Sequence, residues 1–368
     1  MQYLSYLYEK IFGGSPPSDD TQGGCYHTPR KVVCFGNVLL DRLVKLEDPE
    51  LLQRYDLELG SKGEMELEKL NKLALEAAES SQCLTKPGGS ALNTARILKQ
   101  LGTDPTFFGA VGADNHAEEL RLIFQERGIE ARLQTIESTH TGQCVCLMYE
   151  DNPTLYANIG ASAQFSVHAL SQAAIHEGQS FLRPLERKQI LYVEGFFVPQ
   201  CADVCDYIVE NLVRNRRRLA LNLSAPYIVR GHAQAILKLA QHAFFLFGNR
   251  QEFEELAGAS GSSSVDQLAQ KLLQDGNTRV IFITKGSSGV QVITNYVDEL
   301  GPPGPITVED YRAPRVDEVV DATGAGDAFV AGFLHAWLEK RSLGESIRVA
   351  TDVAAKVVTQ VGCNLPSP

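Results

Sequence analysis

The chain holds 368 residues, 44% hydrophobic and 21% charged, enough for a large globular core built as two domains or as one large α/β domain with an appendage. A formal net charge of -11 argues against a nucleic-acid backbone as the main partner, since polyanions are bound through clustered cations, and the one basic cluster, Arg214 with Arg216, Arg217 and Arg218, reads as the solvated end of a helix. Eight cysteines without a disulfide-module or zinc-ribbon spacing predict a reducing, cytosolic setting, and no apolar run approaches the length of a bilayer span, so no membrane partner is expected.

Residues 1–30 open on an apolar stretch, Met1 to Phe12, which a Gly/Ser/Pro/Asp-rich run from Gly13 to Gly24 isolates; a flexible extension is expected there. The first convincing strand is Lys31 to Phe35, ended by Gly36-Asn37. Strand-like and helix-like pieces then alternate. They run helix Ala91–Leu101, strand Thr106–Ala110, helix Asn115–Arg127, strand Ile190–Val193, helix Ala202–Arg217 and strand Leu219–Leu223. The series continues with helix Ala233–Ala240, strand Ala243–Phe247, helices Arg250–Ala257 and Val265–Gln274, and strand Val280–Thr284. Such alternation predicts an α/β fold with a mostly parallel sheet covered on both faces by helices. In open sheets of this kind ligands bind beyond the carboxyl ends of the strands, so Gly36-Asn37, Gly195-Phe196, Asn222-Leu223-Ser224 and Gly248-Asn249 are placed to converge. Residues 38–66 and 138–160 break the alternation and read as turn-punctuated strands that could pair into a small sheet over the crevice, a lid. Cys144 and Cys146 fall two apart on a strand of the second stretch, and Cys201 and Cys205, outside both, fall four apart on a helix; both pairs read as small apolar filler.

Near the carboxyl end, Val319-Val320-Asp321-Ala322-Thr323-Gly324-Ala325-Gly326-Asp327-Ala328-Phe329 runs from a strand-like pair of valines through a glycine turn into an apolar helical stretch ending at Trp337. The glycines let backbone approach a ligand closely, and a helix starting there aims free amides at it, which suits a phosphate. Asp327 would repel that anion, so its chemical use is to take a proton from a hydroxyl attacking the phosphate; the bland alternative is a glycine turn with an early-helix charge complement. A dinucleotide fingerprint would want a glycine where Phe329 stands, and no P-loop motif occurs.

Gly88-Gly89-Ser90-Ala91-Leu92-Asn93-Thr94-Ala95, followed by Phe107 to Asp114, together with Asp321 to Phe329, resembles the two signatures of the PfkB or ribokinase-like carbohydrate and nucleoside kinases. Gly36-Asn37-Val38-Leu39-Leu40-Asp41, Gly195-Phe196-Phe197, Asn222 to Pro226, Phe247-Gly248-Asn249 and Gly362-Cys363 are similar to the adenosine kinase branch of that family. The likeness runs from about Lys31 to Pro366. It implies one ribokinase-like kinase domain over 31–366, a three-layer sandwich with a small β-sheet lid. The activity implied is transfer of the ATP γ-phosphoryl to the 5′-hydroxyl of adenosine, with Mg²⁺ bridging the phosphates, in a monomer.

On that resemblance Asp327 is the base and the amides around Gly324, Ala325 and Gly326 hold the developing charge. Asp41 accepts two ribose hydroxyls, Asn37 and Asn93 add amide contacts, Gly88, Gly89 and Ser90 bring the backbone to the sugar, and Phe197 walls the base. Asn249 and Glu252 order magnesium-bound water, or form a helix capping box, or both, and Lys285, Gly286 and Thr323 border ATP. Two departures fall in the lid: polar Ser61 to Glu66 replaces an apolar segment that covers adenine, and Pro153 stands where the family carries an arginine. They leave open a kinase for another nucleoside or a sugar. A non-catalytic nucleoside-binding protein is the remaining alternative.

Overall fold

The computed structural model describes residues 31–80, 83–149, 152–176, 189–213, 217–298 and 301–366. The expected extension over 1–30 lies outside the described residues, as do Arg214 and Arg216 of the basic cluster. In chain order the strands are β1 (Lys31–Phe35), β2 (Leu39–Lys45), β3 (Lys62–Glu64), β4 (Cys83–Gly88), β5 (Asp104–Gly112), β6 (Glu130–Ile136) and β7 (Gly142–Tyr149). They continue with β8 (Asn152–Asn158), β9 (Ile190–Glu194), β10 (Arg218–Asn222), β11 (Phe245–Asn249), β12 (Val280–Thr284), β13 (Val290–Thr294) and β14 (Thr307–Tyr311). Five helices matter to the site: α1 (Leu67–Ser80), α2 (Ser90–Gln100), α3 (Arg250–Ala259), α4 (Ala325–Leu338) and α5 (Leu343–Val357).

The large sheet has the order β14-β13-β12-β11-β10-β9-β1-β5-β6. From β12 to β6 every pairing is parallel, and β13 and β14 close the other edge as antiparallel strands. Helices on both faces cover it, as the alternation predicted, and a buried apolar cluster fills each interface. The chain leaves β1 toward β5 and β6 on one side and returns through β9 on the other. The strand order therefore reverses between β1 and β9, which places the crevice at their carboxyl ends.

The edge pair was not foreseen because β14, Thr-Val-Glu-Asp-Tyr, is exposed along nearly its whole length and needs no apolar face. The expected strand at Val319-Val320 is not formed: both residues lie in a loop, 43% and 37% exposed, with no ladder to bury them. Helix α4 is apolar on almost every side because it is wedged between the sheet, α2 and α5. Its Phe333 ring lies 4.6 Å from that of Phe282 and 5.0 Å from that of Phe245, which anchors the middle of the helix on the sheet.

The second sheet has the order β3-β8-β7-β2-β4, so the two separated stretches do pair, and β4 joins them. Its side chains alternate as a two-faced sheet requires. Val44, Val145, Leu147 and Tyr156 face outward onto α1, and Asp41, Cys144, Leu155 and Ala157 face the crevice.

Candidate active site

Between the carboxyl ends of β1, β9, β10 and β11 and the inner face of the second sheet lies a cavity of about 340 Å³. Asp41 and Asp327 both line it, one from the roof and one from the floor.

The floor is set by the loop before α4. Buried Asp321 accepts from the Thr323 amide at 2.8 Å and from the Gly362 amide at 2.7 Å, tying the loop to the segment 361–364. Gly324 caps the helix at φ +80°, a left-handed conformation, and a Cβ there would lie 2.6 Å from Cys363 Sγ, so only glycine fits. Thr323, Gly324, Ala325 and Gly326 all line the cavity, and the amino end of a fourteen-residue helix opens onto it.

In the first turn of α4, the Asp327 carboxylate accepts from Ser90 Oγ at 2.6 Å and from Asn93 Nδ2 at 3.0 Å. Arg96 Nη1 donates to Asn93 Oδ1 at 3.2 Å, which fixes the amide with its NH₂ toward Asp327. Burial raises the Asp327 pKa to about 6, against the lowering effect of the Ser90 and Asn93 hydrogen bonds and of the Lys62 charge.

In the roof, Asp41 Oδ1 is buried without a hydrogen-bond partner, and a Cβ on Gly88 would lie 1.8 Å from it. Gly88 thus admits the carboxylate, and the orphaned oxygen is an acceptor facing a cavity. Burial pushes the Asp41 pKa to about 7, with Arg96 opposing and Asp327 adding to the rise.

Glu194, at the end of β9, was not identified from sequence. It is fully buried, accepts from the Asn37 amide at 2.6 Å and from the Ala91 amide, and lines the cavity. It therefore bridges the two strand ends that splay at the switch point and caps an amide in the first turn of α2. Burial holds its pKa up near 8, opposed by those two amide donors. An acid closing the apolar strand Ile-Leu-Tyr-Val-Glu was the available signal. Asn37 also donates from Nδ2 to the Phe196 carbonyl at 3.1 Å, so β1 and β9 are joined twice.

Of the expected residues, the cavity wall takes in Asn37, Asp41, Gly89, Ser90, Asn93, Asn249, Glu252 and Thr323 to Asp327. Phe197 is displaced from its expected place: it is 1% exposed within the core, and Phe196 is the residue on the cavity, its ring 6.2 Å from that of Tyr227. The short helical turn 195–197 inverts which of the two rings faces out. Lys285 and Gly286 lie outside the wall, because the chain turns there into β13 and Lys285 Nζ pairs with Asp310 of β14 at 2.6 Å; Thr284 lines the cavity in their stead.

Asn249 and Glu252 do form the capping box of α3. Each Glu252 oxygen accepts from Asn249, the amide and Nδ2 donating at 2.8 Å each, and Asn249 Oδ1 accepts from the Glu252 amide at 2.9 Å. A carboxylate oxygen has a second lone pair, so the box leaves room for water-mediated contact with a hard cation. Among the described residues no cluster of three His, Cys, Asp or Glu is arranged to hold a metal directly, and no helix is long and apolar enough to cross a membrane. Lys62 and Glu64, the charged residues of the altered roof strand, both line the cavity.

Residues 63–368 match the model of the pfkB family carbohydrate kinases. Over 343 residues the chain is 27% identical to an adenosine kinase of Schizophyllum commune, covering 90% of this chain and 96% of that one. It is 25% identical over 342 residues to adenosine kinase 2 of Arabidopsis thaliana, covering 90% and 94%. The structure is similar to that of Anopheles gambiae adenosine kinase in complex with di(adenosine-5) tetraphosphate, with a TM-score of 0.79, 26% identity, and 92% and 99% of the two chains covered.

Proposed function

Because the chain belongs to the pfkB family of carbohydrate kinases and is a phosphotransferase with the ribokinase-like fold, we propose that it transfers the γ-phosphoryl of ATP to the 5′-hydroxyl of adenosine, giving AMP and serving purine salvage. One observation carries the reading: a single cavity brings the orphaned acceptor of Asp41 and the carboxylate of Asp327 together above the amino end of α4. The relatives named adenosine kinase support the choice of acceptor.

Asp41 takes hydroxyls of the sugar, because each carboxylate oxygen can accept one of a vicinal pair. Phe196 and Tyr227 offer aromatic faces to the base. Asp327, held by Ser90 and Asn93, removes the proton of the attacking hydroxyl, and the helix amides beyond Gly324 receive the negative oxygens of the migrating group. Asn249 and Glu252 would hold magnesium through water; when bound, that ion neutralises phosphate charge. The second sheet acts as the lid that excludes water as a competing acceptor.

Glu64 in the roof, whose charge acts on Tyr227 at the aromatic end, favours a second reading, a kinase for a nucleoside with a different base. Initial rates with adenosine, inosine, ribose and fructose, each with MgATP, decide between them. Adenosine is expected to give the highest kcat/KM; a preference for another acceptor transfers the assignment to it, and no turnover with any acceptor ends the kinase reading.

A further inference from the structure

Among the described residues the cavity is lined by five acids, Asp41, Glu64, Glu194, Glu252 and Asp327, and by one cation, Lys62. A phosphoryl group in transit spreads negative charge over three oxygens, and every ionised carboxylate near it, Asp327 foremost, opposes the transfer. Positive charge must come from somewhere, and from this chain the helix amino end supplies only a partial one.

Lys62 is free to act. It lies on β3, the rim strand of the second sheet, in register with Leu155 of β8, which also faces the cavity. Lys62 and Glu64 are two apart and share the inward face, while Gly63 between them is covered by the Tyr156 ring from outside. Among the described residues the Lys62 ammonium makes neither a salt bridge nor a hydrogen bond. It shares the cavity wall with Asp327 and with the Asn249–Glu252 capping box, and its charge is felt at both carboxyls. Glu64 acts instead on Tyr227, over the aromatic end.

We propose that Lys62 is a catalytic residue carried by the lid, its ammonium pairing with the oxygens of the phosphoryl group as it passes from donor to acceptor. The inference rests on the kinase reading above. In the step, the bond from the γ-phosphorus to the ADP oxygen breaks, the bond to the acceptor oxygen forms, the hydroxyl proton goes to Asp327, and Lys62 takes no part in the proton transfer. The lid thereby brings to the cavity a charge that the floor lacks, which couples its position to the chemistry as well as to the exclusion of water.

Lys62 is exposed, so its replacement leaves the fold intact. Lys62→Met keeps the apolar stem and removes the charge; Lys62→Arg keeps the charge. With saturating MgATP and the preferred nucleoside, Lys62→Met is expected to lower kcat about 10²-fold, as loss of a transition-state charge contact does, with the nucleoside-induced rise in Tm unchanged and most of the rate restored in Lys62→Arg. A Lys62→Met kcat within about threefold of the wild type overturns the inference. So does loss of the nucleoside-induced Tm rise with kcat retained, which would put Lys62 at the base. A wild-type protein with no turnover on any acceptor is the separate result that removes the kinase reading and this inference with it.

Discussion

Replacing Asp327 with Asn isolates the proton transfer from everything else the residue does. Arg96 occupies Asn93 Oδ1, so Asn93 can only donate toward position 327, and the carbonyl oxygen of an asparagine there can take that bond. The new NH₂ then faces Ser90 Oγ, a hydroxyl that can accept as readily as it donates. The network survives and binding should survive with it. What disappears is the proposed base, a contribution of about 10²- to 10⁴-fold, or roughly 3 to 5 kcal/mol in the barrier. Stability should not fall, since a carboxyl whose folded pKa is raised to about 6 disfavours the folded state once it is ionised at neutral pH. The assay is ADP release with MgATP and adenosine at pH 7.5, beside the adenosine-induced shift in Tm. A variant whose kcat stays within tenfold of the wild type would refute the assignment of Asp327 as the base. A variant that loses the thermal shift as severely as the rate would refute the claim that the network tolerates the exchange.

As the proposed base, Asp327 must be ionised to accept a proton, and with its pKa raised to about 6 the kcat of the wild type at saturating nucleoside should fall as pH drops through about 6; Ser90→Ala, which removes a hydrogen bond to the charged form, should move that limb to higher pH in a pH–rate profile. Gly324→Ala forces a methyl against Cys363 at a left-handed backbone position and should cost about 1–2 kcal/mol from the backbone alone, seen as a lower denaturation midpoint, with activity reduced further. Glu194 is held near 8 in the folded protein, well above an exposed glutamate, so the folded state keeps a proton that the unfolded chain has lost; its contribution to stability should be full at low pH and be lost as pH rises through about 8. Melting curves from pH 6 to 9 should therefore slope less steeply for Glu194→Gln, and equal slopes would count against a buried, proton-retaining Glu194.

The parallel sheet was legible because its strands are short apolar runs separated by helical periods, and the positions Gly36-Asn37 and Gly248-Asn249 announced themselves as strand ends. Asp327 and its glycines stood out because a turn entering an apolar helix has few other uses for that composition. What could not be read were features that depend on which residues meet. Glu194 has no motif, and its importance comes from two amides that belong to β1 and α2. Arg96 looked like an ordinary helix residue, and only the fold shows it locking Asn93. Whether Phe196 or Phe197 faces the cavity turns on the twist of a three-residue turn. The polarity of Lys62 and Glu64 was visible, but its inward direction was set by pairing between β3 and β8, a register that the intervening residues do not encode.

The clasp between the α4 loop and residues 361–364 bears on how the protein is made. Asp321 reaches the Gly362 amide, Cys363 packs against Gly324, Lys86 Nζ donates to the Val361 carbonyl at 2.6 Å, and Arg96 donates to Asn364. During synthesis, Asp41, Asn93 and Glu194 leave the ribosome long before these partners exist. The sheet can assemble on a growing chain, whereas the loop before α4 gains its fastening only after residue 362 has emerged, so this wall of the cavity is completed after the rest of it.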